Sequence, residues 1–132
     1  MMAFLAESGL GTQELKARAA RLDALILDPS IAGSEEALRL ASHLAAKAFE
    51  TKSAIAKRPK YEFLLWLTGK TDIRSALARS APKDPKDILI VVFDEQKKHA
   101  LEALGAKEKK KPLEKKADAL ELEGISLSRT RN

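Results

Sequence analysis

"YEFLLWLTGKTDI", Tyr61 to Ile73, is the stretch on which the reading of the fold turns. Its apolar run "EFLLWL" has no polar alternation, so it reads as a strand covered on both faces and central in a sheet. Gly69 makes the turn after it. Thr71 then caps a short helix to about Arg79 that presents Ile73, Ala76 and Leu77 inward. A strand, a glycine turn, Lys-Thr and a helix is also how a nucleotide-binding phosphate loop ends. Such a loop needs another glycine five residues ahead of the one in Gly-Lys-Thr, so that several backbone N–H groups can curl around phosphate. That position holds Leu64. Gly69-Lys70-Thr71 is therefore read as a tight turn and not as an ATP site.

Upstream, Thr12 caps a helix to about Leu22, with Leu15, Ala19 and Leu22 on one face. "ALILD", Ala24 to Asp28, is a short strand ended by Pro29. Ser34 caps a long helix with Glu35 and Glu36 in its first turn, where negative charge complements the helix dipole. Leu38, Ala41, Ala45, Ala48 and Phe49 face its core side. Arg39, His43 and Lys47 stack along the other side at four-residue spacing. Downstream, "APKDPKD" is a loop, and "ILIVVF", Ile88 to Phe93, is a second central strand rich in β-branched residues. A helix from about Glu95 to Leu104 ends at Gly105. The pattern predicts an α/β (α+β) fold, a small mixed sheet packed with helices in a single compact domain over residues 1–106. A basic linker and tail follow, 107–132.

The chain has 132 residues, 33% charged and 45% hydrophobic, with a net charge of +5. Without cysteine it has no disulfide framework, thiol nucleophile or thiolate metal site. His43 and His99 lie far apart in sequence, which argues against zinc. The longest apolar runs are too short to span a bilayer, and "MMAFLAES" lacks the features of a signal peptide. An intracellular, cytoplasmic protein is expected. Asn132 is the single asparagine, with Gln13 and Gln96 the only glutamines; this depletion of thermolabile side chains suggests a thermophile.

No G-x-S-x-G elbow is present, and neither histidine has a suggestive neighbour. Asp94 and Glu95 leave the second central strand where α/β folds often place catalytic acids, but nothing in the sequence converges on them. A small hydrolase or transferase using this pair is one alternative, and a purely structural interaction module with no RNA role is another. The basic signals are stronger. Lys47, Lys52, Lys57, Arg58 and Lys60 cluster around one helix end and the loop after it. Lys70 and Arg74 flank the Gly69 turn, and Lys109, Lys110 and Lys111 form a further run. Arginine can grip phosphate bidentately and stack on bases. Tyr61 is the one aromatic placed where it could stay exposed.

The order of these pieces resembles the small kinase-binding subunit of the KEOPS complex. The strand ending "ILD", the Gly33-Ser34 entry to an Ala-rich helix, the basic "IAKR", "FLLWLTGKTDIRSAL" and "ILIVVF" ahead of acids carry the resemblance. Leu64, Leu65, Trp66, Gly69, Thr71, Asp72, Ile73 and Ala76 occupy the places of the family's middle motif, with Trp66 and Asp72 mild departures. The similarity covers about Ile26 to Glu95, and the family's opening strand looks missing or divergent. The resemblance implies a non-catalytic accessory subunit without cofactor. It would bind and stimulate the KEOPS kinase/ATPase subunit and hold tRNA by its 3′ CCA end for threonylcarbamoyladenosine modification. Lys47, Lys52, Lys57, Arg58, Lys60, Lys70 and Arg74 would then face RNA.

Overall fold

The computed structural model describes residues 1–31, 34–94 and 96–109. The chain forms an α/β protein of two compact units. Among the described residues, those within 1–30 and 81–109 belong to the first and those within 31–80 to the second.

The first unit is built on a four-stranded sheet ordered β2-β3-β1-β4. Its strands are β1 (Met2–Ser8), β2 (Ala24–Leu27), β3 (Ile88–Val92) and β4 (Ala106–Glu108), with helices α1 (Thr12–Ala20) and α5 (Lys97–Ala103). The chain order β1-α1-β2 would make β1 and β2 parallel neighbours. Instead β3 inserts between them, antiparallel to both: Phe4 lies opposite Ile90 on one side, and Ile26 opposite Ile90 on the other. Every pairing is consequently antiparallel, where a mixed sheet was expected. Phe4, Ala6, Ile26, Ile88 and Ile90 pack with Leu15, Ala19 and Leu22 and with Ala100 and Leu104 into one core cluster. The spacing read for α1 is the spacing that is buried. Gly11 rather than Thr12 holds its N-cap position.

β1 was not foreseen. "MAFLAES" contains no β-branched residue, so it has little intrinsic strand signal. Pairing on both sides, with β3 and β4, makes it central. Ser8 anchors its end. Its hydroxyl donates to the carbonyl of Leu104 at 2.7 Å and its N–H to that of Pro85 at 2.8 Å. β4 lies across the point where the sequence reading divides core from tail. The stretch Lys110 to Asn132, including Lys110 and Lys111, is outside the described residues. Gly105 adopts φ +57° just before β4, as its C′ role requires, and a Cβ there would stand 3.2 Å from Leu10 Cγ.

The second unit contains α2 (Glu35–Glu50), α3 (Pro59–Thr68) and α4 (Ile73–Ser80), with α3 packed against both others. α2 follows its sequence reading. The Ser34 hydroxyl accepts from the Ala37 N–H at 3.2 Å, and Leu38, Ala41, Ala45 and Ala48 are buried. Phe49 departs from the reading, being 36% exposed beyond the edge of that face.

"EFLLWL" is helix, not strand. The run contains no β-branched residue, Pro59 sits in the first turn where its fixed φ suits a helix, and Gly69 closes the far end at φ 72°. A short continuous apolar run has no period of its own to distinguish helix from strand. Its lack of alternation did signal cover: Phe63, Leu64, Leu65 and Leu67 are all buried. α4 begins at Ile73. Leu77, expected inside, is 42% exposed.

Asp28 ties together the two segments through which the chain enters and leaves residues 31–80. Its carboxylate accepts from the Ser30 hydroxyl and amide and, at 3.4 Å, from the Lys83 amide. Partial burial raises its pKa, but those hydrogen bonds and the Lys83 charge outweigh it and hold the group below 3.8. A depressed carboxylate stabilises the fold above its unfolded pKa and loses that contribution as pH falls through the folded value. Protection of the Ser30 and Lys83 amides, taken relative to the intrinsic exchange rate at each pH, should therefore fall as pH drops below the ordinary Asp value of about 3.9, and at neutral pH in Asp28→Ala. Unchanged protection in that variant would mean that the segments are held by other contacts.

Candidate nucleic-acid interface

All the cations expected to meet RNA, from Lys47 to Arg74, lie in the helical unit. Lys47 is in the last turn of α2, where positive charge suits the dipole. The helix then stops by a reversed-turn cap. The Lys52 N–H donates to the Phe49 carbonyl and the Ser53 N–H to the Ala48 carbonyl at 2.8 Å. This closure needs a left-handed residue, and Lys52 supplies it at φ 58° where glycine is usual. Lys57 and Arg58 are exposed in the loop that follows, Arg58 at the N-cap of α3.

Beyond α3, Lys70 is exposed immediately after Gly69, and Arg74 is exposed in the first turn of α4. A cation in a helix's first turn opposes the dipole, and Asp72 offsets it. Asp72 Oδ2 accepts from the Ser75 amide at 2.9 Å and hydroxyl at 2.6 Å. The Ser75 hydroxyl, and then its amide, hold the Asp72 pKa below its ordinary value. Asp72 therefore caps α4 in place of Thr71.

The helical form of α3 changes the spacing of the site. Its ten residues advance roughly 15 Å as helix, against over ~30 Å as strand. The Lys57–Arg58 and Lys70–Arg74 groups thus stand about half as far apart along the chain axis as the strand reading implied.

Lys60 does not belong with the others: it is 1% exposed, its Nζ 5.0 Å from the centroid of the Tyr61 ring. The Arg58 guanidinium lies 5.8 Å from the same centroid. Tyr61 is accordingly half-buried with two cations close to its ring rather than a fully open stacking face.

One functional-looking residue escaped the sequence reading. Glu62 is fully buried, and its Oε1 accepts from the Ile55 and Ala56 N–H groups at 2.9 Å each. Its Oε2 accepts from Trp66 Nε1 at 3.2 Å. The available signal was a lone carboxylate heading an apolar run, four residues ahead of the chain's single tryptophan.

The acidic alternative gains little. Asp94 is exposed, Glu95 is outside the described residues, and His43 and His99 are exposed in different units. Among the described residues no three potential ligands gather to hold a metal, and no helix is long and apolar enough to cross a membrane.

The family model described as kinase binding protein CGI-121 matches residues 8–127. The chain belongs to that family. It is the family of the KEOPS subunit that the central motif resembles, and the match reaches well beyond Ile26–Glu95 in both directions. A comparison with curated proteins returns no match. For this CGI-121 chain the family description supplies a partner class, a kinase. It leaves the basic loop without an assigned role.

Left-handed backbone costs a lysine roughly 1–2 kcal/mol that glycine avoids, while glycine's greater freedom in the unfolded chain takes back roughly 0.5–1 kcal/mol. Lys52→Gly should therefore raise unfolding stability by about 0.5 kcal/mol in urea titration. A variant less stable than the parent would show that the strain at Lys52 is smaller than glycine's entropy cost.

Proposed function

We propose that this chain is a non-catalytic accessory subunit of a KEOPS complex that binds and activates the kinase/ATPase subunit. In this reading it also recruits tRNA through the single-stranded 3′ CCA end for threonylcarbamoyladenosine modification. Family membership supports the kinase partner. The observation that carries the RNA role is the exposure of Lys47, Lys52, Lys57, Arg58, Lys70 and Arg74 on one helical unit. Single strands are gripped by cations tracking the backbone, with stacking on aromatic or guanidinium planes. With Tyr61 already flanked by cations, Arg58 and Arg74 are the stacking planes. No cofactor enters this function, and its setting is the cytoplasm of a thermophile.

Neutralising about four phosphates gives a slope of log K against log salt near −3. The double variant Arg58→Ala, Arg74→Ala should bind tRNA roughly tenfold more weakly in fluorescence anisotropy, with a slope shallower by about 1.4. Its circular dichroism and its capture by the kinase subunit should be unchanged. Unaltered affinity would exclude this face. Equal binding of tRNA with and without CCA would exclude recruitment by the 3′ end and leave a kinase-binding scaffold.

A further inference from the structure

We infer that Glu62, which lies outside the exposed basic cluster, is the positioning residue that holds the loop 53–58 ready for its polyanion. The inference rests on the RNA-binding reading above. A carboxylate removed from water is costly, and an apolar side chain of similar size would suit the surroundings of α3 better. Glu62 nevertheless has zero exposure, in a helix where Phe63, Leu64, Leu65 and Leu67 are also buried. Its hydrogen bonds indicate what it does there.

Two successive N–H groups, of Ile55 and Ala56, converge on one oxygen. Fixing two adjacent peptide planes fixes the direction in which the chain leaves toward Lys57. Ala56 is buried at 5% exposure, while Lys57 and Arg58 just after it are exposed. The loop is thus pinned on its inner side and charged on its outer side. Its other end is held by the Ser53 N–H on the Ala48 carbonyl. Lys52 lies just before these anchors and Lys57 and Arg58 just after them, all three exposed. Pre-organisation of this kind raises affinity by removing the entropy cost of ordering on binding.

The sign of the charge makes the inference testable. Both Glu62 oxygens accept N–H groups, as a carboxylate's do, so simple electrostatics predicts that removing it tightens binding to a polyanion; a positioning role predicts the reverse. Full-length Glu62→Ala, Glu62→Gln and Arg58→Ala are compared with the parent by anisotropy against labelled tRNA over a salt series. Amide exchange at Ile55 and Ala56 is followed alongside. Glu62→Ala should bind roughly tenfold more weakly, with faster exchange at both amides and an unchanged salt slope, because the same cations still meet the phosphates once bound. Glu62→Gln keeps one carbonyl acceptor for the two N–H groups and should recover part of the affinity. Arg58→Ala should instead make the slope shallower by about 0.7.

A folded Glu62 variant that binds as tightly as the parent, or more tightly, overturns the positioning role. If Glu62→Ala fails to fold, Glu62→Gln decides alone: weaker binding than the parent supports the role, and equal or tighter binding overturns it. A parent chain with no affinity for tRNA overturns the RNA reading and this inference together, an outcome separate from failure of the variants against a binding parent.

Discussion

Two successive backbone N–H groups, those of Ile55 and Ala56, converge on one oxygen of Glu62, while the other oxygen receives the indole N–H of Trp66. A buried carboxylate is tolerated only when charge-assisted hydrogen bonds replace the water it gave up. The irregular connection from α2 to α3 has amide donors that no regular element satisfies, and Glu62 satisfies two of them. Helix, loop and charge are coupled through this group. Its place at the start of α3 is secured by Pro59 and by the Arg58 carbonyl, which accepts from the Tyr61 and Glu62 amides at 3.1 Å each.

The sheet unit obeys a different constraint. Inserting β3 between β1 and β2 places Ile88, Ile90 and Val92 among residues from both neighbouring strands, and every residue of β3 is buried. Residues 31–80 leave from the end of β2 and return ahead of β3. Asp28 joins the two segments that flank residues 31–80 with hydrogen bonds to Ser30 and Lys83. A long insertion is tolerated in a surface connection when its ends are fixed close together, because closure entropy grows only slowly with length.

Charge is divided accordingly. The helical unit displays cations at both ends of α3 and buries Lys60 beside Tyr61. Long-range attraction to a polyanion would follow from the net charge of +5 alone. The spacing between those cations along the chain is set by a short helix whose two ends are specified by Pro59 and Gly69.

Local chemistry was legible where a residue's role depends on its near neighbours. Ser34 capping α2, the buried stripe Leu38, Ala41, Ala45 and Ala48, the β-branched β3 and the C′ glycine Gly105 all follow from short-range rules, as does the exposure of Arg39, His43 and Lys47. Only the tertiary structure decided that "EFLLWL" is helix, that "MAFLAES" is a central strand, and that Glu62 and Lys60 lie inside. An unbroken apolar run specifies burial without a period, and a strand lacking β-branched residues exists because its neighbours pair with it. A charged side chain is buried when the fold brings it partners, as it brings the Ile55 and Ala56 amides to Glu62. The sequence by itself therefore determined the capped and periodic elements and the burial of the apolar runs. The backbone form of the covered segments and the fate of the buried charges were decided by groups distant in the chain, through hydrogen bonds that exist only once it has folded.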